Sequence, residues 1–166
     1  MIENRSAQWE RQVAQAWASF DAYEEADFRA LIDDLAAEAP SQALADFERA
    51  CAFDSTGHSD KAVPLYQRAL EAGLTGIRRR RAVIQMSSSL RNIGRPEESV
   101  RLLRAEMDNG SDELDDAVKC TLALALTDLG REREAVSLVI GALAKHLPRY
   151  QRSMANYARL LIEDPA

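Results

Sequence analysis

The stretch GHSDKAVPLYQRAL, residues 57–70, recurs twice along the chain, as GRPEESVRLLRAEM at 94–107 and GREREAVSLVIGAL at 130–143. Each copy reads glycine, then five residues on a small side chain (Ala62, Ser99, Ala135), then four further a large one (Tyr66, Leu103, Val139). A third matched position follows three residues later, at Ala69, Glu106 and Ala142. The glycines stand 37 and 36 residues apart, and seven positions before each lies another small residue: Ala50, Ser87 and Ala123. Self-similarity at a fixed period of this size is the mark of a repeat architecture, in which one supersecondary unit buries its apolar face only against the next.

Outside the matched stretches the apolar residues keep the spacing of helices. Trp9, Val13, Trp17 and Phe20 recur at three and four, as do Phe28, Leu31, Ile32 and Leu35, then Val83, Met86, Leu90 and Ile93, then Leu122, Leu126 and Leu129. Such spacing lines one face of a helix, and no segment shows clear period-two alternation, so the chain reads as all-α. Pro40, Gly57, Gly73 with Gly76, Gly94 with Pro96, Asn109-Gly110, Gly130 and Pro148 punctuate the pattern. In NIGRPEES, residues 92–99, Gly94 suits a left-handed helix stop, Pro96 a first helical position, and Glu97 and Glu98 the positive end of the next helix dipole. Pro148 is expected to open the last helix. Pro64 falls about a turn into its helix, where it removes one early backbone hydrogen bond. These breaks divide a single domain over 1–166 into a helix pair at 7–40, repeats at 43–74, 76–108 and 112–146, and a closing helix at 148–163.

The pattern resembles the tetratricopeptide repeat, a helix-turn-helix unit of about 34 residues. The resemblance is close over 43–146 and looser over 7–40. The segment that opens with FERACAFDSTGHSDKAVPLYQRAL also resembles a group of short bacterial tetratricopeptide-repeat proteins. It implies that Ala50 packs on Ala62, Ser87 on Ser99 and Ala123 on Ala135, with Tyr66, Leu103 and Val139 filling the space beside them. Leu74 stands where the family often has proline, and the usual first-helix tryptophan and tyrosine are missing. Phe28 occupies a small-residue slot, so the pair over 7–40 reads as a degenerate repeat or a cap.

The family implies a right-handed α-solenoid and a non-catalytic scaffold whose first helices line a concave, protein- or peptide-binding face. In the middle repeat that face takes Arg81, Ile84, Gln85, Ser88, Arg91 and Asn92. Cys51, Asp54 and Ser55 flank it from the repeat before, and Cys120, Thr121, Leu124 and Asp128 from the repeat after. The candidate groove is therefore Arg81, Gln85, Ser88, Arg91, Asn92, Asp54 and Asp128. Arg81 and Arg91 suit a carboxylate or acidic side chain with fork geometry, and Asn92 a peptide backbone. Some members of the family grip chaperone C-terminal carboxylates with lysines, asparagines and an arginine. The matching slots here hold Phe47, Cys51, Gln85, Ala117 and Thr121, so a receptor of that kind is not expected.

Charge and chemistry narrow the function further. The net charge of −6 works against sequence-independent attraction to nucleic acid. The run Arg78-Arg79-Arg80-Arg81 fans over roughly 300° of a helix and cannot form one basic face. Arg78, Arg79 and Arg80 are expected to meet solvent or acidic neighbours. Nucleic-acid binding therefore ranks below self-association through Trp9, Trp17, Phe20 or the last helix. In that helix Tyr150, Met154, Tyr157 and Leu161 form a stripe expected to seal the core, while Arg149, Arg152 and Arg159 stay wet.

Cys51 and Cys120 lie in apolar stretches, read as buried free thiols, and suit a reducing cytoplasm. His58 and His146 have no histidine or cysteine at ligand spacing, and no phosphate loop or nucleophile elbow occurs. No catalytic residue, metal or cofactor is expected. Neither a secretory leader nor an apolar run of the ~18 residues that a span needs is read in the sequence.

Overall fold

A computed structural model describes residues 2–163. All regular structure among them is helical: α1 (Ile2–Ala18), a 3-10 turn (Phe20–Ala22), α2 (Glu25–Ala37), α3 (Gln42–Ser55), α4 (Ser59–Glu71), α5 (Gly76–Asn92), α6 (Pro96–Met107), α7 (Asp115–Asp128), α8 (Glu132–Ala144) and α9 (Gln151–Leu160). The chain divides into two compact units, Met1–Ser89 and Leu90–Ala166.

The repeated glycine has a clear structural cause. Gly57, Gly94 and Gly130 all take left-handed backbone, at φ of 77°, 77° and 69°. In each turn the glycine N–H bonds a carbonyl three residues back (Asp54, Arg91, Thr127) and the next N–H bonds one five back (Phe53, Leu90, Leu126). This paired closure satisfies carbonyls that the ending helix leaves open. The residue after the glycine (His58, Arg95, Arg131) is also the N-cap of the following helix. One tight turn thus ends a helix and starts its antiparallel partner.

In the N-terminal unit α1 packs on α2, α2 on α3, and α3 on α4. Phe28 and Ile32 are fully buried with Ala16 and Ala52, and Trp17, Phe20, Leu31 and Leu35 pack around them. Phe20 and Trp17 meet the Phe28 ring edge-on, at centroid distances of 4.7 and 4.9 Å. Buried indoles need an acceptor. Trp9 Nε1 donates to the Leu35 carbonyl at 2.8 Å, and Trp17 Nε1 to Glu48 Oε2 at 2.9 Å. The three aromatic residues expected as an association surface are therefore engaged inside this unit. Between α3 and α4, Ala50 and Ala62 have no exposure, and Phe47 and Tyr66 are fully buried beside them. Pro64 lies inside α4, one turn from its start.

In the C-terminal unit α6 packs on α7, α7 on α8, and α8 on α9. Leu103, Val118 and Leu126 are fully buried, and Ala123 and Ala135 nearly so. Four expectations change here. Val139, at the large-residue position, is 40% exposed. Cys120 is exposed, whereas Cys51 is buried. The last helix starts three residues after Pro148, because Tyr150 turns left-handed at φ 68°. Gln151 then reaches back, its Nε2 donating to the Leu147 and Lys145 carbonyls that α8 leaves open. In α9 only Ala158 is buried. Ala158 sits against Gly141, and its carbonyl accepts from Ser137 Oγ at 2.7 Å. The stripe expected to seal the core is divided: Met154 and Leu161 are half-buried, whereas Tyr150 is 73% and Tyr157 59% exposed.

Candidate functional site

Of the four consecutive arginines, only Arg81 is exposed. Its guanidinium lies over the Phe47 ring, 5.2 Å from the centroid. A guanidinium over an aromatic face is attracted by the ring quadrupole and packs its apolar stem against the ring. Arg78 faces the other way. It pairs bidentately with Glu10 at 2.9 and 2.7 Å and reaches buried Glu48 at 3.3 Å. Burial raises the Glu48 carboxyl, against the Trp17 hydrogen bond and the charges of Arg78 and Arg81 that lower it. Arg80 is buried, so of solvent and acidic neighbours, the two surroundings expected for it, solvent does not apply.

Behind Arg81 the face is held by a polar cluster. Ser89 Oγ donates to Asp54 Oδ1 at 2.6 Å, and the Tyr66 hydroxyl to Asp54 Oδ2 at 3.3 Å. Burial raises the Asp54 carboxyl despite both donors. The Tyr66 hydroxyl also approaches Cys51 Sγ at 3.6 Å, and the Cys51 thiol donates to Gln85 Oε1 at 3.7 Å. Burial, reinforced by the charge of Glu48, pushes the thiol up to about 12, so it carries no thiolate at neutral pH. Ser88 is half-buried. Among the expected groove residues of this unit, Arg81 is thus presented outward, while Asp54 and Gln85 lock α3 and α4 to α5.

The C-terminal unit carries the other three. Arg91 is already forked onto a carboxylate: its Nε donates to Asp128 Oδ2 at 2.6 Å and its second guanidinium nitrogen to Oδ1 at 3.3 Å. Asn92 and Asp128 are exposed. The same unit holds a feature that the sequence reading missed, an apolar groove of about 390 Å3 lined by Cys120, Leu124 and Thr127 of α7 and Val136, Val139 and Ile140 of α8. Its signal was present: Leu124 and Val139 hold the slots of Cys51 and Tyr66, and the adjoining stretch 148–163 does not carry the repeated frame. At one end of α7, Asp116 takes His146 Nε2 at 2.9 Å and Lys145 Nζ at 2.7 Å, which hold its carboxyl at about 2.

No group of three histidine, cysteine or acidic side chains able to hold a metal occurs among the described residues. No helix among them is long and apolar enough to cross a membrane. Antiparallel helix pairs, joined by the same glycine turn and closed by the same small residues, define a helix-turn-helix repeat protein. The family model for the Tetratrico peptide repeat matches residues 43–161, and the chain belongs to that family. No curated protein and no solved structure gives a significant match. Repeats of this family are in general protein-interaction scaffolds.

Proposed function

We propose that the chain binds a protein or peptide segment, without catalysis, through the first-helix face of its repeats. The observation that carries this reading is Arg81: exposed, stacked on Phe47, and backed by the Asp54–Ser89–Tyr66 cluster that holds its helix in place. A guanidinium placed in this way suits a carboxylate on the partner, either an acidic side chain or a chain terminus. Gln85 and Ser88 line the same stripe, and Asn92 suits the partner's backbone. Arg91 would exchange Asp128 for a ligand carboxylate. Two free thiols fit a reducing compartment such as the cytoplasm.

The test is an array of acidic and free-carboxylate peptides, read first against the intact chain. Arg81→Ala combined with Arg91→Ala should weaken the best binder at least tenfold, about 1.4 kcal/mol. Asp128→Ala should strengthen binding by releasing Arg91. Undiminished binding by the double variant, with its helicity retained, would count against this face.

A further inference from the structure

We infer that the chain self-associates: the groove between α7 and α8 receives the tyrosine stripe of α9 from a second copy, and the exchange is reciprocal about a two-fold axis. The groove is a repeat interface with its cover missing. Phe47, Cys51, Val63 and Tyr66 hold the matching positions on α3 and α4 and are between 0 and 7% exposed. They lie under α5, which bonds Cys51 through Gln85 and Asp54 through Ser89. On α7 and α8, Leu124 is 52%, Val136 46%, Val139 40% and the adjoining Leu143 52% exposed. The next helix in the chain, α9, does not fill that place. It seats on Ser137 and Gly141, which lie on another face of α8.

The matching position in the N-terminal unit shows what shape belongs there: a helix laid across the pair. With leucine for Cys51, valine for Tyr66 and cysteine for Phe47, the groove lacks the tyrosine hydroxyl of that example and is shallower-walled, so it suits an occupant that brings large apolar side chains of its own. The chain itself offers such a helix. Tyr150 is 73%, Tyr157 59% and the neighbouring Leu160 49% exposed, and Met154 and Leu161 of the same stripe are half-buried. Area selects a second copy as occupant. The groove residues alone expose on the order of 300 Å2, a patch that ordinary monomers carry. Groove and stripe together expose on the order of 800 Å2 of side chain per copy, which is what a stable pairwise interface covers on each side. A two-fold pair covers both at once, because each copy gives a stripe and receives one.

The experiment is sedimentation equilibrium of the full chain at about 100 µM, above the micromolar dissociation constants of weak interfaces of this size. The intact chain should run as a dimer. Val139→Glu in the groove and Tyr157→Glu in the stripe, both at exposed positions, should each weaken the dimer more than tenfold while helicity holds and the melting temperature, read at a dilution where the intact chain is monomeric, is unchanged. Mixing the two variants should restore part of the association, since the mixed pair keeps one intact groove and stripe.

A monomeric intact chain overturns the inference. If both variants then also melt lower, α9 fills its own groove; if neither does, the groove awaits a different protein. A dimer that survives both variants overturns it equally. The Arg81→Ala, Arg91→Ala double variant should dimerise as the intact chain does, which separates this surface from the peptide-binding face.

Discussion

The α3–α4 pair and the α7–α8 pair are built on the same frame and end in different states. Both turn at a left-handed glycine, both close on two alanines, and both present four matched side chains beyond the alanines. On α3–α4 those four are Phe47, Cys51, Val63 and Tyr66, all buried. On α7–α8 they are Cys120, Leu124, Val136 and Val139, all exposed. The covered pair carries polar atoms in its face, each with a partner: Cys51 on Gln85, Asp54 on Ser89 and Tyr66. The open pair is lined almost wholly by aliphatic groups. A covered interface can carry polar groups because its partner atoms are fixed, whereas an apolar one constrains its occupant less and leaves it free to come from elsewhere.

The largest test of this contrast is packing. Phe47→Ala should cost roughly 3–5 kcal/mol, because it empties a filled site. Val139→Ala should cost under about 1 kcal/mol in the isolated chain, since much of that side chain is already in water. Calorimetric melting of the two variants checks the pair of values. Equal losses would mean that the α7–α8 face is covered in the isolated chain.

Ion pairs should divide in the same way, with smaller effects. Arg78→Ala removes the charge beside Glu48, whose side chain is 4% exposed, and should cost roughly 2–3 kcal/mol, tempered by the Trp17 donor that remains. Arg131→Ala breaks an exposed pair with Glu134 and should stay within about 1 kcal/mol. Urea midpoints at constant slope are the measurement.

Acid should act on the two units in opposite directions. Burial raises Glu48 and Asp54, so the folded form holds these protons more tightly than the unfolded chain does. Their stabilisation is complete below the ordinary values of 4.5 and 3.8 and is lost as pH rises through the raised ones. Asp116 works the other way. His146 and Lys145 hold it at about 2, so its contribution is present above 3.8 and fades as pH falls towards 2. Amide exchange protection, corrected for intrinsic rate, should therefore fall in α7 before α3 as pH drops below 3.8. Loss in the reverse order would contradict the assignment.

The smallest effect should be a gain. Gly141 lies within helical α8, and an added Cβ would meet only the Ala158 Cβ, at 3.9 Å. Gly141→Ala should stabilise by about 0.5–1 kcal/mol through helix propensity, read as a higher melting temperature. Gly57→Ala should do the reverse, since its left-handed backbone penalises any Cβ.

The repeat frame was legible in the sequence because its requirements are local. A left-handed stop needs glycine, and a close helix crossing needs Ala50 against Ala62 or Ala123 against Ala135. The placement of Arg81 followed from its helical phase. What the pattern could not supply was occupancy. Tyr150 and Tyr157 share an apolar stripe whether something covers it or not, and the stripe alone read as a seal. Trp9 and Trp17 misled in the opposite sense: large aromatics near a terminus suggested a surface, but the acceptors that bury them, the Leu35 carbonyl and Glu48, lie 26 and 31 residues away. Likewise position alone did not give Asp54 its partner Ser89, which lies 35 residues on.

Trp9 and Trp17 are the two tryptophans of the chain, and both belong to the N-terminal unit. Indole emission is therefore a reporter with an address. A denaturation curve followed by fluorescence records Met1–Ser89 alone, while far-ultraviolet dichroism sums every helix. Coincident curves would establish one cooperative transition, and separated ones would give each unit its own midpoint without a label or a substitution.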